Sequence, residues 1–187
     1  MASSYTHPRR LPRPIRDNLS DREKQIFDLI EKTRGGVWGP YSALMHVPDL
    51  AERVASVGEY LRFEGNVDGA LRELAILTTA RACRYEFEWA VHEPIAQKEG
   101  SSKEAIEYLR TGIQAEISQD ETLVIECVNT LCEEKTIPQP LYDKLAERFS
   151  KEEIIELVTI AGFYQMLAFV IAGFDVPDPG ENTEQLP

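Results

Sequence analysis

Recurring helix-start signals constrain the fold of this 187-residue chain more than any other feature. At four places a serine is followed three residues later by a glutamate, and at that spacing both side chains can satisfy backbone N–H groups of a helix N-terminus. The pairs are Ser20/Glu23, Ser101/Glu104, Ser118/Glu121 and Ser150/Glu153. The alternating pattern of half-buried strands is scarce. The sequence therefore predicts an all-α fold.

Glycine and proline residues divide the chain into nine predicted helices. These are predicted over residues 20–33, 40–46, 48–62, 68–83, 85–99, 102–111, 119–134, 138–148 and 151–171. Residues 18–174 are expected to form a single all-helical domain of ordinary size. Residues 1–17 form a predicted N-terminal basic arm, and residues 175–187 form an acidic, proline-rich C-terminal tail that cannot bury itself alone.

The charge balance limits the classes of partner. The net charge of −12 argues against nucleic acid and against anionic membranes as partners. The clustered arginines of the N-terminal arm, within "RRLPRPIR", are a local exception. No apolar run is expected to approach the length of about 18 residues that indicates a membrane span. With no apolar segment of signal-peptide type near residue 1, we expect a cytoplasmic protein.

The stretch "RYEFEWAVH" at residues 84–92 concentrates the side chains that can carry chemistry. On a helix of about 100° per residue, Glu86, Glu93 and Gln97 fall on one side, which is predicted to face solvent. The opposite, buried or cleft-facing side carries Tyr85, Glu88, Trp89, His92 and Ala96. Glu88 and His92 are one turn apart on it and within reach of each other. Pro94 is expected to interrupt this helix just past His92.

Glu73 lies in a predicted helix that is apolar nearly all round, "DGALRELAILTTARAC". A carboxylate in that setting needs a partner, or its pKa rises. The helices 68–83 and 85–99 should run antiparallel because their link is short. That arrangement brings Glu73 toward His92 if the packing register allows it.

A Glu–His pair supports two interpretations. In one, a glutamate orients the imidazole of His92 and raises its basicity, so that it can take and return a proton near neutral pH. In the other, the pair is a buried structural hydrogen bond. A metal site is not predicted, because His92 has two nearby glutamates but no second histidine close in sequence.

The segment "RELAILTTARACRYEFEWAVHEPIA" strongly resembles the core motif of the carboxymuconolactone decarboxylase family, which includes alkylhydroperoxidase D. The stretches "GPYSALMHVPDLAERVASVGEYLRF" and "ELVTIAGFYQMLAFVIAGFDV" resemble the entry and closing helices of its members, so the resemblance spans about residues 38–176. It implies an alkylhydroperoxidase D-like helical bundle that assembles as a trimer or hexamer.

The resemblance also implies a functional pattern: a glutamate on the first core helix, then Cys-x-x-Cys, then three residues and a histidine. Glu73 and His92 match the glutamate and the histidine, whereas Tyr85 and Glu88 stand at the two cysteine positions. Without the dithiol, a disulfide cycle that reduces peroxides has no chemistry to run on.

The leading prediction is a cofactor-free, lyase-type (decarboxylase-like) enzyme that acts on a small organic acid or lactone. His92 is the predicted general acid/base, and Glu73 and Glu88 orient and tune it. Tyr85 and Trp89 are predicted to line the substrate pocket. Trp38, Tyr41 and His46 are expected either to close that pocket or, for the two aromatic residues, to pack in the core or between subunits. Four arginines could bind a substrate carboxylate, and the sequence does not choose among Arg62, Arg72, Arg81 and Arg84.

Two alternatives remain open at this level. A thiol peroxidase could use Cys83 with Cys127 or Cys132, although none of these cysteines forms a CxxC pair and all three fit buried, reduced thiols. A non-catalytic oligomer could instead keep the Glu–His pair as a polar network in its core.

Overall fold

A computed structural model describes residues 10–176, and within that range the chain folds into nine α-helices without a strand. The helices are α1 (Asp21–Arg34), α2 (Pro40–Leu44), α3 (Pro48–Glu59), α4 (Gly69–Cys83), α5 (Glu86–Glu99), α6 (Lys103–Thr111), α7 (Gln119–Glu134), α8 (Gln139–Ala146) and α9 (Lys151–Phe174). A π-helical turn, Tyr60–Glu64, continues α3. The predicted all-α fold is confirmed. Residues 1–9 of the basic arm and 177–187 of the acidic tail lie outside the described residues.

Three of the four predicted capping pairs begin helices as expected. Ser20, Ser118 and Ser150 each cap a helix in a reciprocal capping box with the glutamate three residues on. The prediction at Ser101/Glu104 was wrong by one residue. Ser102 caps α6 through the N–H of Ala105, while the Ser101 hydroxyl donates to the carbonyl oxygen of Ala70. Ser101 therefore does not cap α6; its hydrogen bond connects the segment before α6 to the start of α4.

Helix α4 is the central element of the bundle. It packs against α5, α6, α7 and α9, and every residue from Glu73 to Ala80 is buried. Side chains on its two sides pack in two different apolar clusters. Ala75 and Ile76 belong to the larger cluster with α1, α3, α7 and α9, whereas Leu74 and Leu77 belong to a smaller one with α5 and α6. Because α4 is buried all round, a polar group on it must be satisfied by a neighbouring helix.

Helix α9 corrects one expectation from the sequence. From Leu157 to Phe174 it carries no charged residue, so an apolar run long enough to cross a membrane does exist. Of the most apolar window, 56% is buried within the protein, as in a core helix. The outer face leaves Ile155 and Phe169 more than half exposed.

The assembly of this chain into a trimer or hexamer, which the family resemblance implies, stays a prediction.

Candidate functional site

The centre of the site is a hydrogen bond between α4 and α5. Arg84 adopts a left-handed conformation (φ 56°) that ends α4 and reverses the chain within two residues, so the two helices lie antiparallel. The resulting register places Nδ1 of His92 2.7 Å from Oε2 of Glu73. Both side chains are buried. The contact that the sequence left dependent on register is therefore present.

Glu73 is held as an anion in this core. Burial alone would raise its pKa, but the hydrogen bond and charge of His92 and the charges of Arg72 and Arg62 keep the pKa below its ordinary value. Arg72 Nε lies 3.2 Å from the second oxygen, Oε1. Because an ionised carboxylate only accepts, Nδ1 of His92 donates to it. The second ring nitrogen, Nε2, does not contact Glu73 and is available as a hydrogen-bond or proton acceptor.

Glu88 faces Nε2 of His92 without completing a hydrogen bond. The distance from Nε2 to Oε2 of Glu88 is 3.6 Å, too long for a hydrogen bond. The other oxygen, Oε1, is buried and has no partner among residues 10–176. Burial raises the pKa of Glu88 in spite of the opposing charges of His92 and Arg62. The Glu88 carboxyl group thus holds a proton more readily than an exposed glutamate does, and it stands beside the imidazole nitrogen that Glu73 does not contact.

Both side chains open onto a cavity of about 190 Å³. An apolar cavity of roughly 150 Å³ can hold a benzene molecule, so this space suits a ligand of about one ring. Residues of α1, α2, the π-helical turn, α5 and α9 contribute to the wall, together with the α1–α2 connection. The lining side chains include Arg34, Trp38, Tyr41, Arg62, Phe87, Glu88, His92, Phe163, Tyr164 and Leu167.

Aromatic rings shape the cavity around His92. Tyr164 meets the imidazole edge-on, with 5.0 Å between ring centroids, and Trp38 packs on Phe87 at 5.8 Å. The close approach of Trp38 depends on Gly39. This glycine has φ 56°, and a Cβ there would lie 2.4 Å from the Phe87 ring. Only glycine fits both constraints, so Gly39 lets the segment before α2 lie against α5.

The structure places the predicted pocket residues in two groups. Trp38 and Tyr41 line the cavity, and Tyr41 also belongs to the larger apolar cluster. Tyr85 precedes α5 and is only half-buried, and His46 is exposed with Nε2 3.0 Å from the carbonyl oxygen of Pro12. Trp89 is 1% exposed and belongs to the smaller apolar cluster. None of these three lines the cavity, because α5 turns Tyr85 and Trp89 toward other neighbours and His46 lies beyond the end of α2.

Two further expectations for α5 were wrong. Glu93 does not face solvent: it accepts a hydrogen bond of 2.9 Å from the Trp89 indole and pairs with Arg110. Pro94 does not interrupt the helix, which continues to Glu99. Tight packing of α5 against α4 holds the helix together past the missing N–H.

Sequence reasoning missed several cavity residues. Arg34, Phe163 and Tyr164 come from α1 and α9, far from the motif in sequence, and they resemble ordinary amphipathic or core positions. A signal was present for Arg62, which was one of four candidate arginines. Only packing distinguishes it from the other three.

None of the three cysteines belongs to the cavity wall. Burial is the main factor that raises the pKa of Cys127 and of Cys132 to about 11, which leaves little thiolate at neutral pH. Cys83 lies at the end of α4, where its sulfur accepts from Gln165. Between residues 10 and 176, no three His, Cys, Asp or Glu side chains are arranged to hold a metal ion.

Comparisons with known proteins agree with the motif and the fold. A family model described as the carboxymuconolactone decarboxylase family matches residues 48–115, which include α3 to α6. No match was found among curated proteins.

Solved structures share the architecture at low sequence identity. An uncharacterized peroxidase-related protein from Silicibacter sp. TM1040 is 15% identical, with a TM-score of 0.77 over 96% of each chain. An alkylhydroperoxidase AhpD core protein, peroxidase-related and uncharacterized, from Ralstonia eutropha JMP134 is 17% identical, with a TM-score of 0.71 over 94% of this chain and 95% of that one. The debrominase Bmp8 is 15% identical, with a TM-score of 0.67 over 90% of this chain and 91% of that one. At these identities the likeness concerns the fold.

Proposed function

We propose that this chain, whose residues 48–115 match the model of the carboxymuconolactone decarboxylase family, is a cofactor-free, lyase-type acid–base enzyme acting on a small organic acid or lactone. One observation carries the proposal. His92 is fixed at Nδ1 by ionised Glu73, while its Nε2 and the Glu88 carboxyl group face each other at 3.6 Å beside the cavity, and Oε1 of Glu88 has no partner within residues 10–176. A buried structural pair would have these groups satisfied.

The proposed chemistry divides the proton transfers between the two groups. When a carboxylate is lost as CO₂ beside a carbonyl, the electron pair of the broken bond remains on the substrate as an enolate. Glu88, in its protonated form, donates the proton that the enolate carbon takes up. The Glu88 carboxylate that results regains its proton from solvent by way of His92 Nε2, which first accepts the proton and then passes it on. The apolar aromatic walls exclude water and strengthen these interactions.

Deuterium incorporation tests the proposal across many candidate substrates at once. The protein is incubated in D₂O with a panel of small oxo acids and unsaturated lactones, and NMR detects new C–D bonds and lost carboxylates. We expect at least one compound to react, and His92→Ala to lower its turnover by about 100- to 10,000-fold. The matched control is His46→Ala, which removes an exposed histidine.

Unchanged turnover in His92→Ala would contradict the proposal. If no compound reacts and His92→Ala only lowers the free energy of unfolding, by about 1–3 kcal/mol, the Glu–His pair is a structural network.

A further inference from the structure

The four arginines that could hold a substrate anion are separated by the fold. Arg72 is committed to Glu73 and to Glu99, with distances of 3.2 and 3.7 Å. Arg81 donates to the carbonyl oxygen of Leu109, toward α6. Arg84 is exposed at the end of α4. Arg62 is the one of the four that lines the cavity.

Arg62 lines the cavity and carries a buried hydrogen-bond donor that has no partner within residues 10–176. Its Nε is buried and has no hydrogen-bond partner within residues 10–176, and the guanidinium carbon lies 5.0 Å from the ring centroid of Phe63. A buried N–H of a charged group is costly to leave unpaired. Together with Oε1 of Glu88, it is one of two buried side-chain atoms without a partner in the part of the chain that the structure describes. Both belong to residues of the cavity wall.

The backbone that carries Arg62 is held from outside the cavity. Arg62 is the third residue of the π-helical turn, a form that often occurs at functional sites. Glu156 of α9 ties both ends of the turn together. It accepts from the Tyr60 hydroxyl at 2.9 Å and from the backbone N–H groups of Asn66 and Val67 at 2.7 and 3.0 Å. These bonds fix the turn without using Arg62 itself.

Arg34 contributes a second, rigidly placed cation to the same wall. It donates to the carbonyl oxygen of Ala55 at 2.8 Å and to the Thr33 hydroxyl at 2.6 Å. Its guanidinium carbon lies 4.4 Å from the ring centroid of Tyr41. Because Arg34 is already bonded, it supplies charge more than free donors.

The charges around the cavity leave room for one anion. Arg34 and Arg62 are cations. Among the described residues, Glu88 supplies the one carboxyl group in the wall, and burial raises its pKa. Glu73 is not part of the wall, and its charge is met by His92 and Arg72. Repulsion of an anionic ligand by the two glutamates is therefore weak, because the raised pKa of Glu88 favours its uncharged form and the charge of Glu73 is paired.

We propose that Arg62 is a specificity-determining residue that binds the carboxylate of a substrate of about one ring in size. The Nε–H and one Nη–H would form the paired, parallel hydrogen bonds that a planar carboxylate accepts, and Arg34 adds long-range attraction. Glu88 then meets the reacting end of the same molecule. This inference rests on the proposed function, and it narrows the substrate from acids or lactones to molecules that carry a free carboxylate.

Binding of benzoate and benzamide, measured by isothermal titration calorimetry, tests the inference. The two probes have the same size and ring, and only benzoate is charged. We expect benzoate to bind roughly 10- to 100-fold more tightly, as charge-assisted hydrogen bonds allow. Arg62→Met should abolish that preference, Arg62→Lys should restore part of it through charge alone, and Arg53→Met, an exposed arginine of α3, should keep it. Circular dichroism checks that each variant is folded.

The outcomes separate this inference from the proposed function. Equal binding of the two probes, absence of binding by both, or a preference that survives in folded Arg62→Met overturns the role of Arg62. His92→Ala should keep the preference for benzoate while losing turnover. If benzoate binds as expected and no acid is turned over, the anion site stands and the enzymatic proposal fails.

Discussion

Helix α5 carries two polar pairs at the same spacing, and they differ in how completely they are satisfied. Glu93 accepts from the Trp89 indole one turn earlier and pairs with Arg110, whose guanidinium also stacks over the Trp89 ring. Glu88 lies one turn before His92 but stops 3.6 Å short of Nε2, with one oxygen unpartnered. The Trp89–Glu93 pair is closed on itself, and the Glu88–His92 pair is open toward the cavity.

The difference shows what separates an architectural polar group from one available for chemistry. Polar groups that only stabilise a fold have their hydrogen bonds completed within the protein, because leaving them unpaired costs stability. Glu156 follows that rule, with donors from Tyr60, Asn66 and Val67 around its carboxylate. Glu88 departs from it at the cavity, where a ligand can supply the missing partner.

The largest effect is expected on the closed side, from Trp89→Ala. This side chain is 1% exposed and fills the cluster between α4, α5 and α6, so its removal leaves a void. We expect the free energy of unfolding, measured in urea, to fall by about 3–5 kcal/mol. Trp38→Ala is the matched control on the open side, where the half-buried ring borders the existing cavity. Equal decreases in the free energy of unfolding for Trp89→Ala and Trp38→Ala would contradict the distinction between the closed side and the open side of α5.

A pair of isosteric substitutions should give opposite results on the two sides. At neutral pH, Glu93→Gln removes the charge that pairs with Arg110 and should lower the free energy of unfolding by about 1–2 kcal/mol, with turnover unchanged. Glu88→Gln replaces a buried carboxyl group whose Oε1 has no partner within residues 10–176, so it should not lower stability, while turnover falls by about 100-fold or more. Chemical denaturation and the deuterium assay measure the two quantities. If both variants lose stability and both keep the turnover of the unmodified protein, Glu88 is a structural residue.

A smaller effect should appear in the pH dependence of stability. Burial raises the pKa of Glu88 above the ordinary value of 4.5, so the folded protein holds this proton more tightly than the unfolded chain does. The resulting stabilisation is fully present below pH 4.5 and is lost as the pH rises through the raised pKa. Glu88→Gln should therefore become more stable relative to the unmodified protein as the pH increases from about 4.5 to 8.

Denaturant midpoints collected across that pH range measure the trend. The exposed Glu104→Gln variant changes the net charge by the same amount and serves as the control. If the stability difference between Glu88→Gln and the unmodified protein does not change with pH, or changes as it does for the control, the pKa of Glu88 is not raised in the folded protein.

Helix positions were predictable because their signals are local. Capping serines, glycine breaks and apolar periodicity act within a few residues, and the bounds of α4, α5 and α7 agree with the predictions within about one residue. The error at Ser101 shows the limit of this reasoning. Two adjacent serines offer the same cap, and a contact with Ala70, 31 residues away, decides which one caps the helix.

The site was predictable only in part. Glu88 and His92 share a helix, so their proximity follows from their spacing. The helical wheel placed Trp89 on the same side as Glu88 and His92, yet neighbouring positions on a helix are about 100° apart. A buried arc that wide can face two different neighbours, and α5 presents one edge to the cavity and the other to the cluster with α6.

The sequence by itself determined the all-helical architecture, the helix boundaries and the placement of Glu88 and His92 on one face, because each depends on interactions within one or two helical turns. The tertiary structure decided that Glu73 meets His92, that Arg62 and not Arg72, Arg81 or Arg84 lines the cavity, and that Trp89 does not. Those outcomes depend on the register between helices and on which groups the neighbours leave unpaired. Register and unpaired groups arise from the packing of distant segments, which no local pattern specifies.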